Sequence, residues 1–281
     1  MTEIVTKYVP DNSLKKGYFG VFREMAEEVR VAKWLTWQLF IRDFKGFYKQ
    51  SVIGVLWMLI VPLTTLATFV LLNNAGLFIV GEMAVPYAVF ALLGIASWQL
   101  FASGIQSTTN SLTSAGAMIT KIKFPREALV VSAMGQALVA FLIQVVLVVI
   151  LMVYYGVVPA WTVVLFPVTM IPIVLITLGL GFILSVVNGV ARDIGRSIGI
   201  ITTFMMFITP ILYLTPTTGI LGIITKYNPL FYLTTLPRDL VLTGEVLHPL
   251  GYTVSVLISV ATFFSCWVVF HLTETRVAER I

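Results

Sequence analysis

The chain has 281 residues, of which 58% are hydrophobic and only 11% are charged, with a net charge of +5. A water-soluble domain carries about 25% charged residues, so this composition excludes an ordinary soluble protein and indicates one that lies in a membrane. The single cysteine, Cys266, excludes an internal disulfide.

Residues 1–51 are polar, basic and aromatic, and they lack the short apolar core of a signal peptide. From Trp34 to Tyr48, apolar residues recur at helical spacing beside basic ones. We therefore predict a cytoplasmic N-terminal segment with an amphipathic helix in the headgroup layer. A basic stripe favours nucleic acid only where solvent surrounds it. An apolar run follows this one at once, so we expect contact with membrane lipids and none with nucleic acid.

Six apolar runs are long enough to cross a bilayer, which takes about 20 helical residues. The longest uncharged stretch, Ala128–Ala191, breaks into two spans at Gly156 and Pro159. The sequence therefore predicts an all-α integral membrane domain over residues 52–281. Its spans cover about residues 52–72, 85–105, 129–153, 161–187, 197–214 and 250–272.

The placement of basic residues predicts the orientation of these spans. With six spans, 16 of the 18 Lys and Arg residues fall on one side, and only Lys226 and Arg238 fall on the other. Basic residues are enriched in cytoplasmic loops, so both termini are expected in the cytoplasm.

A charged island, Asn188–Ser197, interrupts this apolar sequence. Arg192, Asp193 and Arg196 lie between the fourth and fifth spans, where they form a short cytoplasmic turn that could enter a groove on a partner. The alternative is a solvated loop whose arginines only fix the topology. A second polar cytoplasmic segment, Gln106–Glu127, joins the second and third spans.

The segment Thr215–Glu245 contains apolar pieces that are each too short to cross. Asn228 and Pro229 predict a helix start, because asparagine caps free N–H groups and proline suits the first helical position. We predict two short re-entrant helices on the outer side. The alternative is an ordinary extracellular loop.

The predicted span interiors contain no Asp, Glu, Lys, Arg or His. An ion-coupled transporter generally needs such groups inside the membrane, so this class is disfavoured. The two histidines, His248 and His271, lie at span ends and suggest interfacial residues. We expect no catalytic site, no metal site and no cofactor in this chain, so a transporter of this kind would take energy from a partner.

Four stretches then resemble, in order, the membrane subunit of ABC-2 type polysaccharide exporters (the permeases for O-antigen, capsule and wall teichoic acid). From Arg42 to Gly244 they extend over about seven-tenths of the chain. The roughly 40 residues before the first stretch are longer than the family pattern. The stretches are RDFKGFYKQSVIGVLWMLIVPL (Arg42–Leu63), TKIKFPRE (Thr120–Glu127), ARDIGRSIGIITTFMMFITPILY (Ala191–Tyr213) and YNPLFYLTTLPRDLVLTG (Tyr227–Gly244).

The resemblance implies a homodimer with two copies of a separate ABC ATPase subunit, which would hold ATP and Mg²⁺. The complex would move a polyprenyl-linked glycan out across the cytoplasmic membrane of a bacterium. Cytoplasmic segments between spans two and three and between spans four and five would contact the ATPase. The expected coupling residues are Lys121, Lys123, Arg126, Arg192, Asp193 and Arg196.

The implied substrate adds three further groups of residues. Arg42, Lys45 and Lys49 would bind the lipid phosphate, although they would equally serve as positive-inside anchors. Aromatic faces would stack on sugars along the path, although each could instead face lipid. Asn228, Pro229 and Arg238 would form an outer gate. The path candidates are Trp57, Trp98, Phe101, Phe204, Phe207 and Tyr213.

Two other functions stay open at this point. An ABC-2 exporter of drugs or small lipids would share most of these features. A membrane scaffold that transports nothing is a different class, but it needs neither prolines within spans nor a re-entrant outer segment.

Overall fold

The computed structural model of the chain describes residues 17–49, 53–76, 85–119, 121, 124–215 and 219–277. These residues fold into helices joined by short turns, with no strand among them, which confirms the all-α class. The α-helices are α1 (Gly17–Lys49), α2 (Trp57–Asn74), α3 (Tyr87–Ser114), α4 (Gly116–Ile119), α5 (Glu127–Tyr155), α6 (Phe166–Thr169), α7 (Ile171–Val190), α8 (Asp193–Ile208), α9 (Gly219–Tyr227), α10 (Pro229–Leu242) and α11 (Pro249–Val277).

Within the described residues, 5 helical stretches are long and apolar enough to cross a membrane. They lie over the first, second, third, fourth and sixth predicted spans. The fourth begins with a 3-10 turn and continues through α6 into α7. The stretches are Trp57–Asn74, Tyr87–Ser114, Glu127–Tyr155, Trp161–Val190 and Pro249–Thr273.

The structure differs from the sequence prediction at the fifth span, residues 197–214. Helix α8 begins earlier, at Asp193, and ends at Ile208 after 16 residues, short of the ~20 that a crossing takes. Its end has a local cause, because the residue before a proline is disfavoured in the helical region. Thr209 precedes Pro210 and is extended, with φ −89° and ψ 122°. The total of six spans therefore stays a prediction.

The turn between the third and fourth spans lies where the sequence predicts it. Helix α5 ends at Tyr155, and Gly156 follows with φ 67°, a left-handed conformation that glycine adopts without strain. The next helical turn begins at Trp161.

Helix α3 forms the centre of the bundle, and most of its surface is buried against α5, α7 and their neighbours. Small residues let these helices approach closely, as is common in membrane proteins. A Cβ at Gly104 of α3 would lie 2.8 Å from Thr177 of α7 and 2.9 Å from Met134 of α5. A Cβ at Gly179 of α7 would lie 2.8 Å from the Phe263 backbone of α11. The close packing of α3 on α5 and α7, and of α7 on α11, therefore depends on glycine at these positions.

The N-terminal helix α1 packs against α5 through one face. Ala32 and Leu39 are buried, and a Cβ at Gly135 of α5 would lie 2.8 Å from the ring of Phe40. Trp34 and Trp37 are exposed instead. The apolar stripe of the sequence is thus divided between a protein contact and an open face. The position of this helix in the membrane interface stays a prediction.

Candidate functional site

The charged turn, which is the island Asn188–Ser197 of the sequence, connects α7 to α8. Arg192 precedes α8, and Asp193 is its first residue. The side chains of Asp193 and Arg196 are 89% and 85% exposed, and they form an ion pair of 3.4 Å. Exposed pairs of this kind contribute little to stability. Arg192 is exposed as well, so all three charged side chains are accessible to a partner.

A buried asparagine binds the backbone of this turn to α3. Asn188 is 2% exposed, and its Oδ1 accepts a hydrogen bond from the backbone N–H of Gly195 at 2.7 Å. Its Nδ2 donates to α3, to the Thr109 carbonyl oxygen at 3.1 Å and to Asn110 Oδ1 at 3.2 Å. Thr113 Oγ1 lies at 3.3 Å from the same nitrogen. Asn188 thus joins the turn to the polar end of α3.

A second contact between α3 and the turn comes from Gln106. Its Nε2 donates to the carbonyl oxygen of Gly195 at 2.8 Å. A Cβ at Gly195 would collide with the side chain of Asn110 and lie 2.8 Å from Asn188 Oδ1. Gly195 is therefore bound through both backbone groups and leaves no room for a larger residue. Hydrogen bonds thus join the charged island Asn188–Ser197 to the polar end of α3, residues 106–113, in one junction.

The other predicted coupling residues lie at the start of α5 and before it. Lys121 is exposed, and Arg126 is half-buried directly before α5. Lys123 lies outside the described residues.

A polar cavity of about 560 Å³ opens between α1, α3 and α5. Arg42 and Asp43 of α1 line it together with Gln106, Asn110 and Gln136. The Arg42 guanidinium donates to Asp43 Oδ1 through Nε and lies 2.7 Å from it through Nη2. The cavity therefore combines one cation, one anion and several neutral hydrogen-bonding groups.

Two of the cavity residues, Gln106 and Asn110, also contact the charged turn or its anchor Asn188. The cavity and the turn thus share one side of α3. Of the other predicted phosphate ligands, Lys45 is exposed, and the side chain of Lys49 lies outside the described ones.

The six predicted path aromatics do not share one surface. Trp98 and Phe101 of α3 are buried in the core, with ring centroids 5.4 Å apart, and so present no open face in this conformation. Trp57 is exposed at the start of α2. The hydroxyl of Tyr213 donates to the Phe207 carbonyl oxygen at 2.8 Å.

Helix α8 carries an exposed apolar face. Phe204 and Phe207 lie on it with Ile200, and Gly199 and Thr203 complete a shallow groove of about 510 Å³. Among the described residues, no other helix covers this groove. A continuous apolar face of this kind suits lipid or a second protein surface.

Asn228 caps the start of α10, where the sequence predicts a helix start. Its Oδ1 accepts from the backbone N–H of Leu230 at 3.0 Å, and Pro229 occupies the first turn. Its Nδ2 donates to Thr209 Oγ1 at 2.9 Å. Asn228 therefore caps α10 and also binds the segment that ends α8.

Arg238 of α10 is buried, with 5% of its surface exposed. Its guanidinium carbon lies 3.8 Å from the ring centroid of Phe90 in α3, and Nη1 donates to the Ile211 carbonyl oxygen at 3.0 Å. Asp239 Oδ1 lies 3.5 Å from Nε. Burial lowers the pKa of Arg238, which the Asp239 carboxylate opposes, and burial raises the pKa of Asp239. Arg238 thus connects α10, α3 and the segment after α8.

Sequence reasoning missed several of these residues, Asn188, Gln106, Asn110 and Phe90 among them. A lone asparagine in an apolar run, together with a polar helix end, was the available signal for the junction at the turn.

The sequence is similar to known proteins over most of its length. Residues 35–242 match the family model described as ABC-2 type transporter. The chain is 31% identical over 211 residues to an O-antigen export system permease protein RfbA of Klebsiella pneumoniae, covering 73% of this chain and 79% of that protein. It is 28% identical over 210 residues to a protein of the same name from Myxococcus xanthus, covering 70% and 79%. The chain belongs to the ABC-2 type transporter family of membrane proteins.

Proposed function

We propose that this chain is the transmembrane subunit of an ATP-driven exporter that moves a lipid-linked polysaccharide out across the cytoplasmic membrane of a bacterium. The similarity to O-antigen export permeases supports a polysaccharide substrate. ATP hydrolysis would take place in a separate ABC ATPase subunit, and both termini of this chain would lie in the cytoplasm.

The junction at the charged turn is the observation that carries the proposal. Coupling requires an exposed contact for the ATPase that is fixed to the transport pathway. Arg192, Asp193 and Arg196 are exposed, whereas the backbone beneath them is bound by Asn188 and Gln106. A displacement of the turn would therefore move α3 and the wall of the polar cavity with it.

The exposed face of α8 supports a homodimer. Membrane helices associate where small residues let the partner approach, and Gly199 and Thr203 lie between the larger side chains of this face. A two-fold dimer pairs the same patch on both subunits. Phe204 and Phe207 would then lie beside a pore between the subunits, where their ring faces could contact sugars.

Removing two exposed charges of the turn tests the coupling role. We expect Asp193→Ala with Arg196→Ala to abolish substrate-stimulated ATP hydrolysis, because both side chains project into solvent and hold little of the fold. The complex with the ATPase would be purified in nanodiscs and its hydrolysis measured. Lys226→Ala, an exposed charge on the predicted outer side, is the control. Full stimulation in the double variant would refute the coupling role.

Replacing Arg42 tests whether this residue binds the phosphate of the lipid-linked substrate. Its guanidinium lines the cavity, and a charge-assisted hydrogen bond to phosphate is worth about 1.5–3 kcal/mol. We expect Arg42→Ala to reduce surface glycan about 10–100-fold with normal membrane insertion. Arg30→Ala, an exposed arginine on the same helix, should export normally. Equal export by both variants would exclude Arg42 from phosphate binding.

A further inference from the structure

Three side chains outside the coupling junction and the cavity meet where α1, α5 and α11 come together. Glu28 belongs to α1, Glu127 begins α5, and His271 lies near the end of α11. One ligand atom from each lies within 4.8 Å of the others. His271 Nδ1 is 3.0 Å from Glu127 Oε1 and 3.7 Å from Glu28 Oε2. Residues that are far apart in the sequence thus form one compact donor set.

The carboxyl group of Glu127 is incompletely paired. The side chains of Glu127 and His271 are 2% and 9% exposed. Glu127 Oε1 contacts the imidazole, but the buried Oε2 has no hydrogen-bond partner among the described residues. A position at the N-terminus of α5 favours a carboxylate, yet it does not supply Oε2 with a donor. Buried oxygens without partners are rare in proteins, and a bound cation is one group that satisfies them.

The distances and the donor types suit a transition-metal ion. A tetrahedral ion bound at about 2.0–2.2 Å holds its ligand atoms roughly 3.3–3.5 Å apart, and the observed separations lie on either side of this value. One imidazole and two carboxylates form a zinc-type donor set, whereas Mg²⁺ and Ca²⁺ prefer oxygen alone. We propose that Glu28, Glu127 and His271 bind a divalent transition-metal ion of the Zn²⁺ class.

The proposed ion would join the N-terminal helix to two membrane helices. Helix α1 otherwise packs mainly on α5. Metal ligation would add a strong contact to α11 and would fix α1, which carries Arg42, relative to the bundle. Binding of this ion would require neither the transported substrate nor the ATPase.

Metal titration of the full chain tests the site. The purified chain in detergent is freed of metal with a chelator and titrated with Zn²⁺ against a chromophoric chelator. We expect one equivalent per chain. Loss of an outer-shell partner weakens metal binding about 10–100-fold, so loss of a ligand in Glu28→Gln or His271→Gln should exceed this. Glu28 is preferred to the deeply buried Glu127, because its side chain is 18% exposed and its replacement should still fold.

Two matched controls come from the same chain. Glu27→Gln alters the neighbouring carboxylate, and His248→Gln alters the other histidine, so both should retain full affinity. Zn²⁺ should also raise the unfolding temperature of the wild type but not of Glu28→Gln. The proposal is overturned if the wild type binds no stoichiometric Zn²⁺ or if Glu28→Gln and His271→Gln bind it as tightly as the controls. The three groups would then form only direct His–carboxylate contacts.

Discussion

Replacing Asn188 with leucine is expected to abolish export and to loosen the charged turn from α3. Leucine has the same number and branching of side-chain heavy atoms, but it neither accepts from the Gly195 N–H nor donates to Thr109 and Asn110. An unsatisfied buried N–H costs about 1–3 kcal/mol. Loss of the Asn188 Nδ2 donor also removes one hydrogen bond each from the Thr109 carbonyl and from Asn110 Oδ1, which adds to this cost. We expect the largest loss of function of any single replacement in the turn.

The measurement compares export, ATPase retention and proteolysis of the turn in Asn188→Leu and wild type. Asn74→Leu, at the exposed end of α2, is the matched control and should behave as wild type. Gly195→Ala disturbs the same hydrogen bond at its backbone donor, because the new Cβ would lie 2.8 Å from Asn188 Oδ1. Normal export by Asn188→Leu would show that the junction carries no coupling.

Arg238→Met is expected to produce the second large effect. The replacement removes the contact with the Phe90 ring and the hydrogen bond to Ile211, and it leaves Asp239 half-buried without its cation. Breaking a buried ion pair on one side costs about 3–5 kcal/mol. We expect a markedly lower unfolding temperature in detergent and little surface glycan.

A double variant separates the causes of this effect. Arg238→Met with Asp239→Asn removes both charges, so much of the lost stability should return, because no uncompensated charge remains. If export stays low when stability has returned, Arg238 itself serves the outer gate. An unfolding temperature for Arg238→Met equal to that of the wild type would contradict a stabilising role for the contacts of Arg238 with Phe90 and Ile211.

Features that depend on adjacent residues could be predicted from the sequence. The helix start at Asn228 and Pro229 and the turn at Gly156 follow from local backbone preferences, and the structure contains both. The early end of α8 also has a local cause at Pro210, but the apolar run continues past it. The predicted span follows the apolar residues and therefore extends past the end of α8.

Features that depend on distant residues could not be predicted in this way. The partners of Asn188 on α3 are 75–79 residues away, so only the packing of α3 on α7 brings them together. The same holds for Trp98 and Phe101, whose residue type suits a sugar path but whose helix lies at the centre of the bundle. An apolar span has no polar face from which its buried side can be identified.

ATP-dependent transport in a defined system tests the central claim most directly. Proteoliposomes would contain this chain, its cognate ATP-binding subunit and a lipid-linked O-polysaccharide labelled on its glycan. We predict that the glycan crosses the bilayer only when ATP and both proteins are present, and that Asp193→Ala with Arg196→Ala stops the transfer. Transfer without ATP, or movement of small lipids but not of the glycan, would contradict it.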